Sequence, residues 1–168
     1  MIGSRSKITP KSDGAQRIWF LRMGWMLGLW VFAGGQVLGG SVMIGPDDTK
    51  VSLGKHLQYL EDPTEKMTIE DFLKATKNES ALTKSEVDTP SFGYTSSAYW
   101  FTVDLENTGQ QRRNLLLEIN YPLLDQISIY KISGEKILDH AELGDLKPFN
   151  SRPIAHRNFL YPLKIENI

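Results

Sequence analysis

A chain of 168 residues is long enough for one domain that buries roughly 70% of its unfolded surface, and too short for two of ordinary size. The formal charge of -1 hides an asymmetry, because Arg5, Lys7, Lys11, Arg17 and Arg22 face only Asp13, leaving 14 basic and 19 acidic residues from position 23 onward. A folded part with that balance lacks the clustered Lys and Arg that neutralise phosphates, which excludes nucleic acid as a partner, and the absence of cysteine excludes disulfides and a lipoprotein acylation site.

The basic lead is followed by "MGWMLGLWVFAGGQVLGGS", which carries no charge over residues 23–41. Positive charge before an apolar run keeps the lead in the cytoplasm and sends the downstream chain across the membrane, so residues 1–40 are expected to direct export. Two outcomes stay open. Ala33-Gly34-Gly35 offers a small-x-small cleavage pattern for a signal peptide, while an uncleaved anchor needs about 20 residues with Arg22 reaching the interface. Either way the domain is expected to be periplasmic, exported across or anchored in the bacterial inner membrane.

Residues 41–50, "SVMIGPDDTK", read as a flexible lead-in rich in Gly, Pro and Asp, and the domain is expected over residues 51–168. "VSLGKHLQYLED" predicts a first strand, irregular at Gly54. One short helix comes next, with Thr68 as N-cap, Glu70 and Asp71 in its first turn, and Met67 and Phe72 as a hydrophobic staple. After Pro90 the texture changes to strands. "AYWFTVDLE" alternates Tyr99, Phe101, Val103 and Leu105 against Trp100, Thr102 and Asp104; "NTGQQRR" is read as the turn from which "NLLLEINY" returns. "DQISIYKI" turns at Ser133-Gly134 into "EKILDH", and "FLYPLKI" alternates again, with Pro162 marking an edge or a bulge because proline cannot donate to a ladder. About six strands and one helix predict a mainly β protein, an antiparallel sandwich.

The segments "GYTSSAYWFTVDLEN", "LLLEINYPLLDQISIY" and "GDLKPFNSRPIAHRNFLYPL", in this order, resemble the type 2 extracellular domain of bacterial seven-transmembrane receptors with diverse intracellular signalling modules. The resemblance runs from about Val51 to the last residue. It implies a periplasmic jelly-roll-like β-sandwich, similar in architecture to carbohydrate-binding modules, standing before seven membrane helices and a cytoplasmic output such as a diguanylate cyclase or histidine kinase. Family members continue past the "FLYPL" strand, whereas this sequence stops at "KIENI", which is read as a truncated frame or a fragment, incomplete at its C-terminus and without its output.

The chain has no G-x-S-x-G elbow, no Cys nucleophile and no Gly-rich phosphate loop, so no catalysis and no cofactor are expected. His56, His140 and His156 lack ligand-type spacing, and no metal site is expected. The polar cluster of "SRPIAHRN" is the candidate site: Arg152, His156 and Arg157 could jointly hold a carboxylate or sugar hydroxyls, since Arg offers a planar donor fork and His a second polar handle. The structural alternative is that the arginines bond backbone carbonyls, or Asp125, and fix the loop. Trp100 stands off the apolar face of its strand, placed either to stack on a sugar ring or to pack under a crossing segment. The expected function is non-catalytic sensing of a carbohydrate or other small polar ligand outside the cytoplasm, with the ligand class implied by the resemblance. The competing readings are a protein-interaction module using an exposed sheet edge, a non-signalling fragment, and a hydrolase with Glu118 and Asp104 as paired carboxylates.

Overall fold

The structure, a computed structural model, describes residues 16–21 and 41–167. Along the chain lie β1 (Gln16–Leu21), β2 (Val42–Ile44), β3 (Gln58–Asp62), α1 (Ile69–Ala75), β4 (Thr83–Lys84), β5 (Ala98–Asn107), β6 (Arg113–Ile119), β7 (Ile127–Ser133), β8 (Lys136–Leu143) and β9 (Phe159–Ile165). The expected mainly β architecture is present. The expected first strand begins late, at Gln58, because residues 54–56 form a 3-10 turn. Gly54 permits this turn, since a Cβ there would lie 2.0 Å from the Asp88 carbonyl oxygen.

One sheet runs in the order β4-β3-β5-β1-β7-β8, with β2 parallel to the far end of β5; β6 and β9 pair separately, antiparallel, from Arg113–Ile165 to Ile119–Phe159. The return of β6 beside β5 is therefore corrected. These consecutive strands lie in different sheets, and the connecting segment shows why: the Asn107 side chain donates to the Gln111 carbonyl at 2.8 Å and to the Ile165 carbonyl at 3.4 Å, tying the turn across to β9. The β7–β8 hairpin forms as read, with Gly134 at φ 59 in its turn. Pro162 is exposed on β9, whose pairing is with β6.

Alternation decides what each sheet buries. Phe101, Val103 and Leu105 of β5 and Ile127 and Ile129 of β7 pack against Leu117, Ile119, Phe159, Tyr161 and Leu163 of the smaller sheet, forming the main core. The opposite face of the large sheet carries a second cluster, in which Ile69 and Phe72 of α1 cover Trp100 and Ile132, with Met67 packed beside them as the staple requires. β5 is thus buried on both faces.

The helix start is a complete capping box: the Asp71 N–H donates to the Thr68 hydroxyl at 3.2 Å, and the Asp71 carboxylate accepts from the Thr68 N–H at 3.3 Å. Thr68→Ala should cost about 1 kcal/mol, measured by denaturant melts, because the Asp71 N–H loses its acceptor and the Asp71 carboxylate loses the hydroxyl that orients it. The approach to the helix is fixed by Asp62. Burial raises the pKa of its carboxyl, but hydrogen bonds from the Thr64 hydroxyl and from the N–H groups of Met67 and Thr64 outweigh that and hold it below the usual range.

Residues 41–50, read as a lead-in, contribute β2 and a turn in which the Gly45 N–H donates to Asp48 at 2.7 Å, and Arg113 donates to the carbonyls of Gly45 and Asp48. Of the segment expected to direct export, residues 16–21 form β1 within the large sheet. The remainder, including Ala33-Gly34-Gly35, lies outside the described residues.

Candidate functional site

The loop between β8 and β9 is built from its first residue. Gly144 adopts φ 139 and a Cβ there would lie 2.1 Å from the Asp125 carbonyl oxygen, so the chain can press onto the segment before β7 only with glycine at this point. The Asp145 N–H then donates to the Leu124 carbonyl at 2.6 Å and the Leu146 N–H to the Asp125 carbonyl at 3.3 Å. A single 3-10 turn, Phe149–Ser151, delivers Arg152.

Arg152 closes the loop. Its side chain is 8% exposed, its Nη1 donates to the carbonyls of both His156 and Arg157 at 2.9 Å, and its guanidinium lies 4.9 Å from the Phe149 ring centroid and 4.4 Å from that of Phe159. The guanidinium satisfies two carbonyls from Nη1 while lying against both rings, a setting that suits its flat, delocalised charge. The carboxylate beside it is Asp145, with Oδ1 3.8 Å from Nη2. Asp125, expected as the acidic partner, instead meets the loop through its backbone carbonyl.

His156 and Arg157 are exposed on the strand mouth that Arg152 holds. The Asn158 N–H donates to His156 Nδ1 at 3.1 Å, which leaves Nε2 as the donor of the neutral imidazole. Asn158 is buried, and its Nδ2 donates to Glu118 at 2.6 Å and to Asn120 at 2.8 Å, anchoring the loop to β6 and to the residue after it. Asn158 thus brings His156, Glu118 and Asn120 to one end, with Arg157 exposed next to them in the chain. Glu118 and Asp104 do not face each other across paired strands, since they lie in different sheets and Asp104 is buried.

Trp100 is not at this surface. It is 0% exposed, with its ring 5.0 Å from that of Phe72 under α1, so it presents no face to a sugar. Asn158 stood in the polar cluster read from sequence but was given no role there. Its signal was faint: a polar side chain directly before the buried start of an alternating strand. Asp145 carried no signal beyond its place after a glycine.

A second polar contact joins the sheets near β8, where the Tyr161 hydroxyl donates to the Asp139 carboxylate. Burial, then this hydrogen bond and the carboxylate's charge, push the tyrosine well above its ordinary range. The folded state therefore holds this proton more tightly than the unfolded chain, whose tyrosines ionise near pH 10, so the associated stability is full below that pH and declines as pH rises above it. Denaturant melts at about pH 9 and pH 11 should show an alkaline loss that Tyr161→Phe reduces.

The model of the 7TMR-DISM extracellular 2 family matches residues 54–167, from the turn before β3 to the end of β9. The chain belongs to that family. It is an extracellular domain family of seven-transmembrane receptors, which places this domain outside the cytoplasm and fits a sensing role. No curated protein and no solved structure matches the chain. Among the described residues of this 7TMR-DISM extracellular 2 domain, no helix is long and apolar enough to cross a membrane, and no group of three His, Cys, Asp or Glu is placed to hold a metal ion.

Proposed function

We propose that the chain is a non-catalytic ligand-sensing domain of a bacterial membrane receptor, periplasmic and jelly-roll-like, whose ligand is a carbohydrate or another small polar molecule. The division of labour in one loop carries this reading. Arg152 spends its Nη1 on two backbone carbonyls and lies against two rings, while His156 and Arg157 stand exposed on the frame it makes. An exposed guanidinium and imidazole on consecutive residues are donors suited to a carboxylate or to sugar hydroxyls, with Glu118 and Asn120 held by Asn158 as acceptors. A site pre-organised in this way spends little ordering entropy on binding.

Glucose, galacturonate and succinate serve as probes in thermal-shift titrations of the full chain. A probe that binds should raise the melting temperature, and the double variant His156→Ala/Arg157→Ala should lose that rise while its ligand-free melt falls only by the single hydrogen bond from the Asn158 N–H. An undiminished rise in the double variant would remove the site from this loop.

A further inference from the structure

With Trp100 buried, the ring on which a sugar would stack has to come from elsewhere, and the loop that carries His156 and Arg157 supplies one. Among the described residues the exposed phenyl and phenol side chains are Tyr94, 79% exposed, and Phe149, 55% exposed. Phe149 is the one tied to the candidate site. It opens the 3-10 turn Phe149–Ser151, in which the Ser151 hydroxyl donates to the Pro148 carbonyl at 2.7 Å and the Arg152 N–H to the Phe149 carbonyl at 3.3 Å. The Arg152 guanidinium lies over the ring, 4.9 Å from its centroid, and the same guanidinium donates to the carbonyls of His156 and Arg157 at 2.9 Å. One side chain therefore fixes both the ring and the two residues that carry exposed donors.

A phenyl ring held open to water is unfavourable in the free protein, and an apolar ligand face laid on it removes that cost. With the guanidinium over one face, the open surface of Phe149 is its other face and rim. The polar side of the site points to the same chemistry. Asn158, 5% exposed, gives its amide protons to Glu118 and Asn120 and leaves Oδ1 without a hydrogen-bond partner among the described residues. A hydroxyl can donate to such an oxygen; a carboxylate cannot. A pyranose ring combines both features, C–H groups across a face and hydroxyls around the rim.

We infer that Phe149 is the stacking surface of the β8–β9 loop and that the ligand is a neutral pyranoside, its ring face on Phe149 and its hydroxyls on the donors of His156 and Arg157, in preference to an open-chain acid. This rests on the loop being the ligand site and assigns that site a ligand class and a further binding residue.

Calorimetric titration of the full chain with glucose and with succinate tests it. Glucose is expected to bind more tightly than succinate. Phe149→Ala and Phe149→Leu should each weaken glucose binding about tenfold, and Phe149→Tyr should bind like the parent, because leucine keeps apolar bulk without a flat face and tyrosine keeps the ring. The leucine and tyrosine variants carry the comparison if the alanine variant folds poorly. Glucose binding unchanged in Phe149→Leu, or succinate bound more tightly than glucose, would overturn the inference, while loss of binding in His156→Ala/Arg157→Ala would keep the site in this loop. An equal loss of glucose and succinate in Phe149→Leu would also overturn it, by making the ring a support for Arg152 alone. Glucose binding that survives the double variant would remove the site itself, and the absence of any glucose binding would remove both.

Discussion

Trp100→Ala should destabilise the domain by about 3 to 5 kcal/mol, the largest effect expected of any single truncation here. The indole is fully enclosed between the sheet and α1, in contact with Phe72, and the cavity left behind is bounded by strands that cannot close on it. Trp100→Phe should cost much less. It keeps a ring against Phe72 and removes the buried indole N–H, which has no hydrogen-bond partner among the described residues. Chemical denaturation of the two variants distinguishes packing from sugar stacking, because a stacking residue would change ligand response and leave the melt alone. A normal melt for Trp100→Ala would contradict the enclosure of the indole under α1.

Arg152→Ala should cost about 3 kcal/mol, because two carbonyls lose a charged donor and the facing surfaces of Phe149 and Phe159 lose the guanidinium between them. Arg152→Lys should recover less than half of that. An ammonium lacks the flat, delocalised face that lies against the Phe149 and Phe159 rings. Calorimetric melts of the two variants check the expectation, and the contrast with His156→Ala is the informative part: that variant gives up one hydrogen bond, from the Asn158 N–H, and should cost about 1 kcal/mol. If Arg152→Ala melted like the parent, the loop would be held by Asn158 and Gly144 alone.

Much of the architecture was legible in local pattern. The capping box at Thr68 and Asp71, the staple from Met67 to Phe72 and the Ser133-Gly134 turn depend on residues within a few positions of one another, so sequence distance and spatial distance coincide. The alternation of β5, β6 and β9 likewise named residues of the main core, because period 2 assigns side chains to faces whatever the neighbours turn out to be. The three segments that carry the family resemblance run through these same elements, and the family match covers them.

What alternation cannot state is which partner covers a face. Sequence alone left Trp100 open between stacking and packing, and only the placement of α1 over the second face of β5 decided it. The β5–β6 connection reads as a hairpin turn until Asn107 is seen bonded to the Ile165 carbonyl, a residue far along the chain. The candidate site shows the same limit. Sequence brought Arg152, His156 and Arg157 together as one cluster, but the two carbonyls and two rings that engage Arg152 exist only once the loop closes on Gly144, and they separate a structural arginine from an exposed pair. The strand between β5 and β7 is the extreme case. Its charge and hydropathy speak of export, while its pairing depends on long-range backbone hydrogen bonds that leave no local signature, so sequence determined the elements and their faces and tertiary structure alone decided their neighbours.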